Sequence, residues 1–477
     1  MPDFAKTDSP QVQAQLDRHA DLSLPQGRFG LEAITALLAR LGDPHKRLPP
    51  QFHVAGTNGK GSTCAYLRAM LEAQGLTVHA TTSPHLVRYN ERIRIAGKLV
   101  EDAELAALLG EVLDAADGIE ISFFEATIAA SFLAFARHPA DACVIEVGLG
   151  GRFDATNVLE RPAACGIATL GIDHEAFLLA PEAGVPQEPL ARIAFEKASI
   201  AKRGVPLMTQ KYPREAASAV AQTARVHGAE LFMRGQAWQA SASDILEYAD
   251  GFGPLALPLP ALPGAHQADN AALAVAMLRH QDRVKVSPEA MAQGIVSARW
   301  SGRLHRLADG PLTRAAPNVA EVWLDGGHNP DAAEALARFF EVNSQAHPAA
   351  TRRQSRQVSL PSRLREGLGV GQSRDLHLIL GMLANKDAEA FIARLAPVAA
   401  SLVAVAIPGH DHHAPARLAE LARKVGVSAV GTAPDVVTAL SVAGTRGRAG
   451  GALPRALIAG SLYLAGDVLR QNGELPD

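Results

Sequence analysis

An α/β fold with two successive doubly wound sheets is what this 477-residue sequence predicts. Three observations carry that expectation. Apolar, β-like runs alternate with longer helical patterns, the order that gives parallel strands joined by crossover helices. The alternation breaks off near residue 300 and then restarts, so two domains are expected rather than one. The composition is aliphatic rather than aromatic, 48% hydrophobic against 5% aromatic, with 41 Gly and 30 Pro to punctuate loops.

In chain order, the first strand is expected at 52–55, with a glycine-rich turn and a helix after it. Further strands are expected at 77–81, 143–147 and 166–169, and residues 125–136 (EATIAASFLAFA) form a buried helix. A Pro-rich stretch, 255–264, precedes a helix over 269–279. The pattern changes around 297–306, which sets the domains at 1–298 and 299–477. In the second, strands are expected at 322–324, 376–380, 402–405 and 456–458, again with helical patterns between them. Residues 344–375 are rich in Arg, Ser, Gln and Gly and lack periodicity. A structureless loop of that length is unusual in a compact domain, and the stretch reads as a mobile surface insertion.

Several function classes are excluded early. The formal charge of −3 lacks the basic excess of a nucleic-acid protein. Cys64, Cys143 and Cys165 lie in apolar segments without ligand-like spacing and read as reduced core thiols of a cytoplasmic protein. No run of about 18 apolar residues suggests a membrane span, and the first residues have no signal-type apolar core.

The chemistry concentrates at strand ends. Val54 to Thr63 (VAGTNGKGST) passes from strand through glycines into a helix. Small residues let backbone N–H groups approach phosphates, and the helix N-terminus adds its positive dipole end. Lys60 supplies a point charge, and Ser62 or Thr63 can face Mg²⁺. The turn is shorter than G-x-x-x-x-G-K-[ST], with Gly61 between the lysine and the hydroxyls. Ser83, after the second strand, could meet a metal or phosphate, or be an ordinary turn serine. Glu146 interrupts an apolar strand, where a carboxylate is costly unless it binds a metal or is paired. The following glycine turn, with Arg152 and Asp154, fits a substrate loop. Asp173-His174 also ends a strand-like run. Lys197 lies on a part-buried helix, where an amine either becomes nucleophilic or snorkels to water. Asp325, in WLDGGHNP, can accept ribose or base hydrogen bonds, with Asn329-Pro330 starting the next helix. Asn385-Lys386-Asp387 resembles a guanine-reading motif with its aspartate one residue early, and is discounted. His410 to His413 (HDHH) reads as a polar loop more readily than a metal cluster.

Together these segments resemble the folylpolyglutamate synthase/dihydrofolate synthase family of the Mur ligase superfamily. The motifs HVAGTNGKGST, TTSPHL, VIEVGLGGRFDATN, IDHEAF, FEKASI, HQADNAALA, SGRLH, LDGGHNP, LGMLANKD and AGSLYLAG occur in the family's order, from about residue 29 to 466. The resemblance implies an N-terminal P-loop ATPase domain, a C-terminal Rossmann-like doubly wound domain, and an active site in the cleft between them. It implies ATP phosphates on Gly56, Thr57, Asn58, Gly59, Lys60, Gly61 and Ser62, with Asn270, Arg303 and Asp325 also binding ATP. Mg²⁺, two ions in all, would involve Ser83, Glu146 and His174. Lys197 matches a lysine carbamylated by CO₂, and His328 is a further candidate for stabilising an intermediate. Ser122, Phe123, Phe124 and Glu125, with Phe153, Asp154 and Ala155, match pterin-substrate positions. The implied reaction adds L-glutamate to dihydropteroate and to reduced folates through an acyl phosphate, in a monomeric enzyme. No nucleic acid or membrane partner is implied.

This chain departs from the family in places. The stretch from His174 to Lys197 contains LLAPEAGVPQEP and is longer than usual. Ser199 stands where glycine is common, and Gly327 where alanine is common. Rival readings are a Mur-type ligase of cell-wall precursors, or a P-loop NTPase that ligates nothing. The segments SFFE and RFDA speak against the first; FEKASI and LDGGHNP are left unexplained by the second.

Overall fold

The structure is a computed structural model and describes residues 7, 9–20, 30–345, 375–447 and 453–476. The expected insertion at 344–375 falls almost wholly outside the described residues. The chain divides into two compact units, Met1–Ser301 with Leu475–Asp477, and Gly302–Glu474.

In the first unit eight strands form one sheet: β1 Gln51–Ala55, β2 Val78–Thr81, β3 Ile93–Ile95, β4 Lys98–Leu99, β5 Ala142–Glu146, β6 Ala164–Ile167, β7 Pro206–Thr209 and β8 Glu230–Met233. Their order is β4-β3-β2-β5-β1-β6-β7-β8. All neighbours from β2 to β8 pair in parallel, and β3 and β4 add an antiparallel edge. Both faces are covered, as a parallel sheet requires. Alternate residues of β5 show it: Ala142 and Val144 join one core with Phe52, Val54, Met70 and the helix His266–Arg279. Cys143 and Ile145 join the opposite core with the helix Phe123–Arg137. Cys64, Cys143 and Cys165 are buried and free.

Two strand ends fall short of expectation. β5 stops at Glu146 and β6 at Ile167, because the glycine-rich or polar segments that follow leave the ladder. Glu146 therefore does not interrupt its strand but terminates it. A second sheet was not legible at all: β9 Trp238–Ala242, β10 Leu246–Asp250 and β11 Gly253–Leu257 form an antiparallel meander. It buries Trp238, Leu246, Tyr248 and Leu257. The expected Pro-rich stretch supplies only the end of β11.

The second unit holds β12 His305–Arg306, β13 Glu321–Leu324, β14 Leu376–Leu380, β15 Ala399–Ala404, β16 Ala429–Thr432 and β17 Arg455–Ala459, in the order β12-β13-β17-β14-β15-β16. All but the β12–β13 pair are parallel. The last strand inserts between β13 and β14, the crossover plan of a doubly wound sheet.

Candidate functional site

Because β2, β5, β1 and β6 are parallel neighbours, their carboxyl ends share one edge of the first sheet. Ligands of open α/β sheets collect at that edge. Four of the segments singled out in the sequence leave the sheet there.

The turn after β1 leads into the helix Lys60–Ala73. Gly59 is its N-cap, at φ 84, with no side-chain cap bond. A Cβ at Gly59 would be strained at that φ and would run into the Asn270 amide. The turn is braced from β6: Thr57 and Asn58 N–H donate to Thr169 O at 2.8 and 3.3 Å, and Thr57 Oγ1 donates to Gly171 O at 2.8 Å. Lys60 Nζ donates to the carbonyls of Gly56 and Thr57 at 3.0 and 3.4 Å, so its charge is held at the turn. One turn into the helix, buried Ser62 accepts from Gln267 Nε2 at 3.3 Å, and Gln267 accepts from Asn270 Nδ2 at 3.2 Å. Asn270 thus lies beside the phosphate turn, linked to Ser62 through Gln267, a residue the sequence did not single out.

After β2 and β5, two expected metal positions meet. Ser83 N–H donates to Glu146 Oε2 at 3.2 Å. Glu146 is buried, and oxygen donors of this kind suit Mg²⁺. His174 stands after β6 in a left-handed conformation (φ 55), exposed, its N–H donating to Asp173 Oδ1 at 2.8 Å. Among the described residues, no three His, Cys, Asp or Glu side chains form a ready metal cluster.

Lys197 is the penultimate residue of the helix Pro189–Ala198 and is buried, not snorkelling. Burial, together with the charge of Lys60, lowers its pKa to about 7; Asp173, Asp154 and Glu196 oppose that shift. These acidic and basic groups therefore act on one another within one neighbourhood.

The first pterin-type segment meets the glycine turn that leads into the second. Phe124 lies against Gly148, where its ring occupies the space a Cβ would need. Phe123 packs edge-on to Tyr89 at 5.9 Å. Ser122 and Glu125 form a reciprocal capping box: Glu125 N–H donates to Ser122 Oγ at 3.2 Å, and Ser122 N–H to Glu125 Oε2 at 2.7 Å. The S-x-x-E spacing announced this cap, and the sequence reading passed over it. Asp154 is buried and turned onto its own loop, accepting from Leu149 N–H at 2.9 Å and Thr156 N–H at 3.0 Å. Burial raises its pKa, against the pull of those donors. Ala155 is buried beside it, whereas Phe153 is 38% exposed.

In the second unit, Asp325 follows β13. Its carboxylate accepts from Leu304 N–H at 2.8 Å and Gly327 N–H at 2.6 Å, binding the turn at 302–304 to its own. Arg303 lies beside Gly326, and His328 Nδ1 is 2.9 Å from Gly326 O. Asn329 Oδ1 caps the helix Pro330–Gln345 through Ala332 N–H at 2.9 Å. The HDHH segment is a polar loop: His410 stacks on Tyr463 with centroids 3.9 Å apart, and His413 Nε2 lies 2.8 Å from Lys386 O. Asp387 caps the helix Ala388–Leu395, which accounts for the N-K-D segment.

No family model matches the chain. It is similar to the dihydrofolate synthase/folylpolyglutamate synthase of Bacillus subtilis (strain 168), 36% identical over 328 residues that cover 65% of this chain and 72% of that one. The chain belongs to the dihydrofolate synthase/folylpolyglutamate synthase family. Among solved structures of the family, Escherichia coli FolC in complex with DHPP and ADP matches with a TM-score of 0.78 and 29% identity, covering 97% of both chains. A bifunctional folylpolyglutamate synthase/dihydrofolate synthase with Mn, AMPPNP and L-glutamate bound matches with a TM-score of 0.75 and 29% identity, covering 97% of this chain and 98% of that one. The family is one of ATP-dependent ligases.

Proposed function

We propose that this protein joins L-glutamate to dihydropteroate, and to reduced folates, at the cost of ATP. The observation that carries the reading is the shared sheet edge, where an uncapped helix start with Lys60 adjoins Glu146, Lys197 and the Phe124–Gly148 contact. Relatives solved with ADP and DHPP, or with AMPPNP, Mn and L-glutamate, support the substrate set. A cell-wall ligase and an acceptor-free NTPase are not favoured by these relatives.

In the reaction, the acceptor carboxylate attacks the γ-phosphorus of ATP, and ADP leaves. The amine of glutamate then attacks the acyl phosphate carbon, loses a proton, and phosphate leaves. Little covalent chemistry falls to the protein, which positions groups and neutralises charge. The turn at 56–62 binds the phosphates through its N–H groups and the helix start. Lys60 moves from the turn carbonyls to the transferring phosphoryl group. Ser83, Glu146 and His174 are the residues that would hold Mg²⁺; the buried carboxylate of Glu146 at the strand end fits that hard cation. When bound, the divalent ion screens phosphate charge. Lys197, with its amine poised near neutrality, suits reaction with CO₂, which requires the unprotonated form. The resulting carbamate would offer a further anionic oxygen donor in a neighbourhood that holds Lys60 together with Asp154, Asp173 and Glu196. Asn270 serves the nucleotide beside the turn of the first unit.

The test is ADP release with ATP, Mg²⁺ and L-glutamate, comparing dihydropteroate, tetrahydrofolate and no acceptor, with products weighed by mass spectrometry. Acceptor-dependent ADP release and a gain of one glutamate are expected with both acceptors. Hydrolysis without ligated product would overturn the reading.

A further inference from the structure

Four charges stand beside the turn that follows β5. Arg152 donates from both terminal nitrogens to Glu182, at 2.9 and 2.5 Å, a fork-to-fork pairing. It also lies 3.0 Å from Glu196 Oε1. Arg192 completes the set, 2.7 Å from Glu182 and 3.1 Å from Glu196. Two members, Arg192 and Glu196, share one face of the helix Pro189–Ala198, and Arg152 belongs to the turn. Arg152 is tied to that helix by its backbone too, its N–H donating to Glu196 O at 2.9 Å.

Glu182 comes from elsewhere. It lies in 179–188, a segment without regular structure between the short helix Glu175–Leu178 and the helix Pro189–Ala198. The segment is folded back on itself: Gln187 Nε2 donates to Glu182 O and Val185 O at 3.1 and 2.7 Å. Glu188 caps the following helix through Leu190 and Ala191 N–H.

Burial of Arg192 and Glu196 separates this group from ordinary surface pairs, which contribute little, although the Glu182 side chain itself is 40% exposed. The side chains of Arg192 and Glu196 are each only 6% exposed. Two guanidiniums against Glu196 alone would leave one positive charge largely out of water, a costly arrangement. Glu182 balances the set, and Arg152 holds its carboxyl well below the usual range, at about 2.

What the pairing aims is aromatic. The Arg152 guanidinium sits 4.2 Å from the Phe153 ring centroid and 5.1 Å from that of Phe195. Phe153 is partly open to solvent, and its ring lies under the cation that Glu182 grips.

We propose that Glu182 is a positioning residue for the acceptor. It fixes the Arg152 guanidinium and, through it, the Phe153 ring, which presents a flat apolar face to a planar heteroaromatic acceptor. The inference rests on the reading above that Phe153 touches the acceptor. Glu182 itself touches no substrate.

The experiment uses the full chain as wild type, F153A, E182A, E182Q, E182D and the double variant E182A/F153A. The KM for dihydropteroate, ATP and glutamate and the thermal midpoint are measured for each. F153A is expected to raise the dihydropteroate KM about tenfold and E182A about fivefold, with the KM for ATP unchanged. The double variant should be no worse than F153A alone, because both act through one ring. E182D should recover part of the loss. E182Q, an isostere, serves if E182A fails to fold. An unchanged dihydropteroate KM in F153A would overturn the acceptor reading and this inference with it. A raised KM in F153A alone, or effects that multiply in the double variant, would overturn the positioning role and leave the acceptor reading standing. A lowered midpoint without a KM change in E182A or E182Q would show a purely structural strap.

Discussion

The two units each send a parallel strand into a short glycine-containing turn and then a helix, yet the two helix starts are built for different ends. In the first unit the helix Lys60–Ala73 begins at Gly59, with no side chain capping it. In the second, Asn329 caps the helix Pro330–Gln345 with its own amide oxygen, and Pro330 fills the first helical position. A helix start leaves N–H groups without intrahelical partners. The second unit satisfies part of that need with a side chain; the first does not, and a lysine follows its N-cap directly. The turn carboxylate of Asp325 makes the same point, since it already accepts from two backbone N–H groups. One supersecondary plan thus starts its helix without a side-chain cap in one unit and with an asparagine cap in the other.

The strongest way to break this comparison is Lys60→Ala. Ligase turnover is expected to fall about 10²–10³-fold, as when a single charge-stabilising group is lost, with melting little changed. Product formation under saturating substrates measures it; retained turnover would mean the first turn is no more a phosphate site than the second. Gly59→Ala follows. It forces a Cβ into positive φ and against Asn270, so ADP affinity should drop and unfolding should cost about 1–3 kcal/mol less. Calorimetric ADP titration and urea unfolding check both halves, and unaltered ADP binding would contradict the crowded turn.

Lys197 sharpens the contrast through pH. Its folded pKa, about 7, lies below the ordinary 10.5. The unfolded chain therefore binds the extra proton between those values, and stability rises with pH across that window. Below it, the cost of the buried charge is fully present. In CO₂-free buffer, the stability gained by Lys197→Met over wild type should be larger at about pH 6 than at about pH 9; a gap independent of pH would place the amine in water. Carbon-13 bicarbonate should also give a carbamate resonance that Lys197→Met abolishes.

Last and smallest, the caps can be weighed against each other. Asn329→Ala and Ser122→Ala should each lower stability by about 1 kcal/mol. Chemical denaturation of the two variants makes the comparison. A rise in dihydropteroate KM is expected for Ser122→Ala alone, and its absence would reduce Ser122 to a cap.

Much of this was legible in the sequence because strand-turn-helix chemistry is local. The strand at 376–380 was read to the residue, and Lys60 and Ser83 were placed at strand ends; Glu146, read as interrupting its strand, instead ends it, and the parallel sheet brings all three to one edge. Local reading failed where local pattern was weak. Strands β9 to β11 alternate outward Gln239, Ser241 and Glu247 with inward Trp238, Leu246 and Tyr248, a pattern hidden by short length and neighbouring prolines. Ser122 and Glu125 were read for ligand contact, although the S-x-x-E spacing also encodes a cap. Asp154 was read for substrate contact, and its oxygens also hold its own loop.

By itself the sequence determined the doubly wound plan of the two units, the glycine turn after the first strand and the family, since periodicity, glycine spacing and motif order need no distant partner. Tertiary structure alone decided which polar residues remain for chemistry. Lys197 has a lowered pKa only because a folded core excludes water and Lys60 lies near it. Gln267 joins Asn270 to Ser62 across 205 residues of chain. Glu182 finds Arg152 thirty residues away through a segment with no pattern of its own. Such pairings depend on distance in space and on local dielectric, and neither is written in the order of residues.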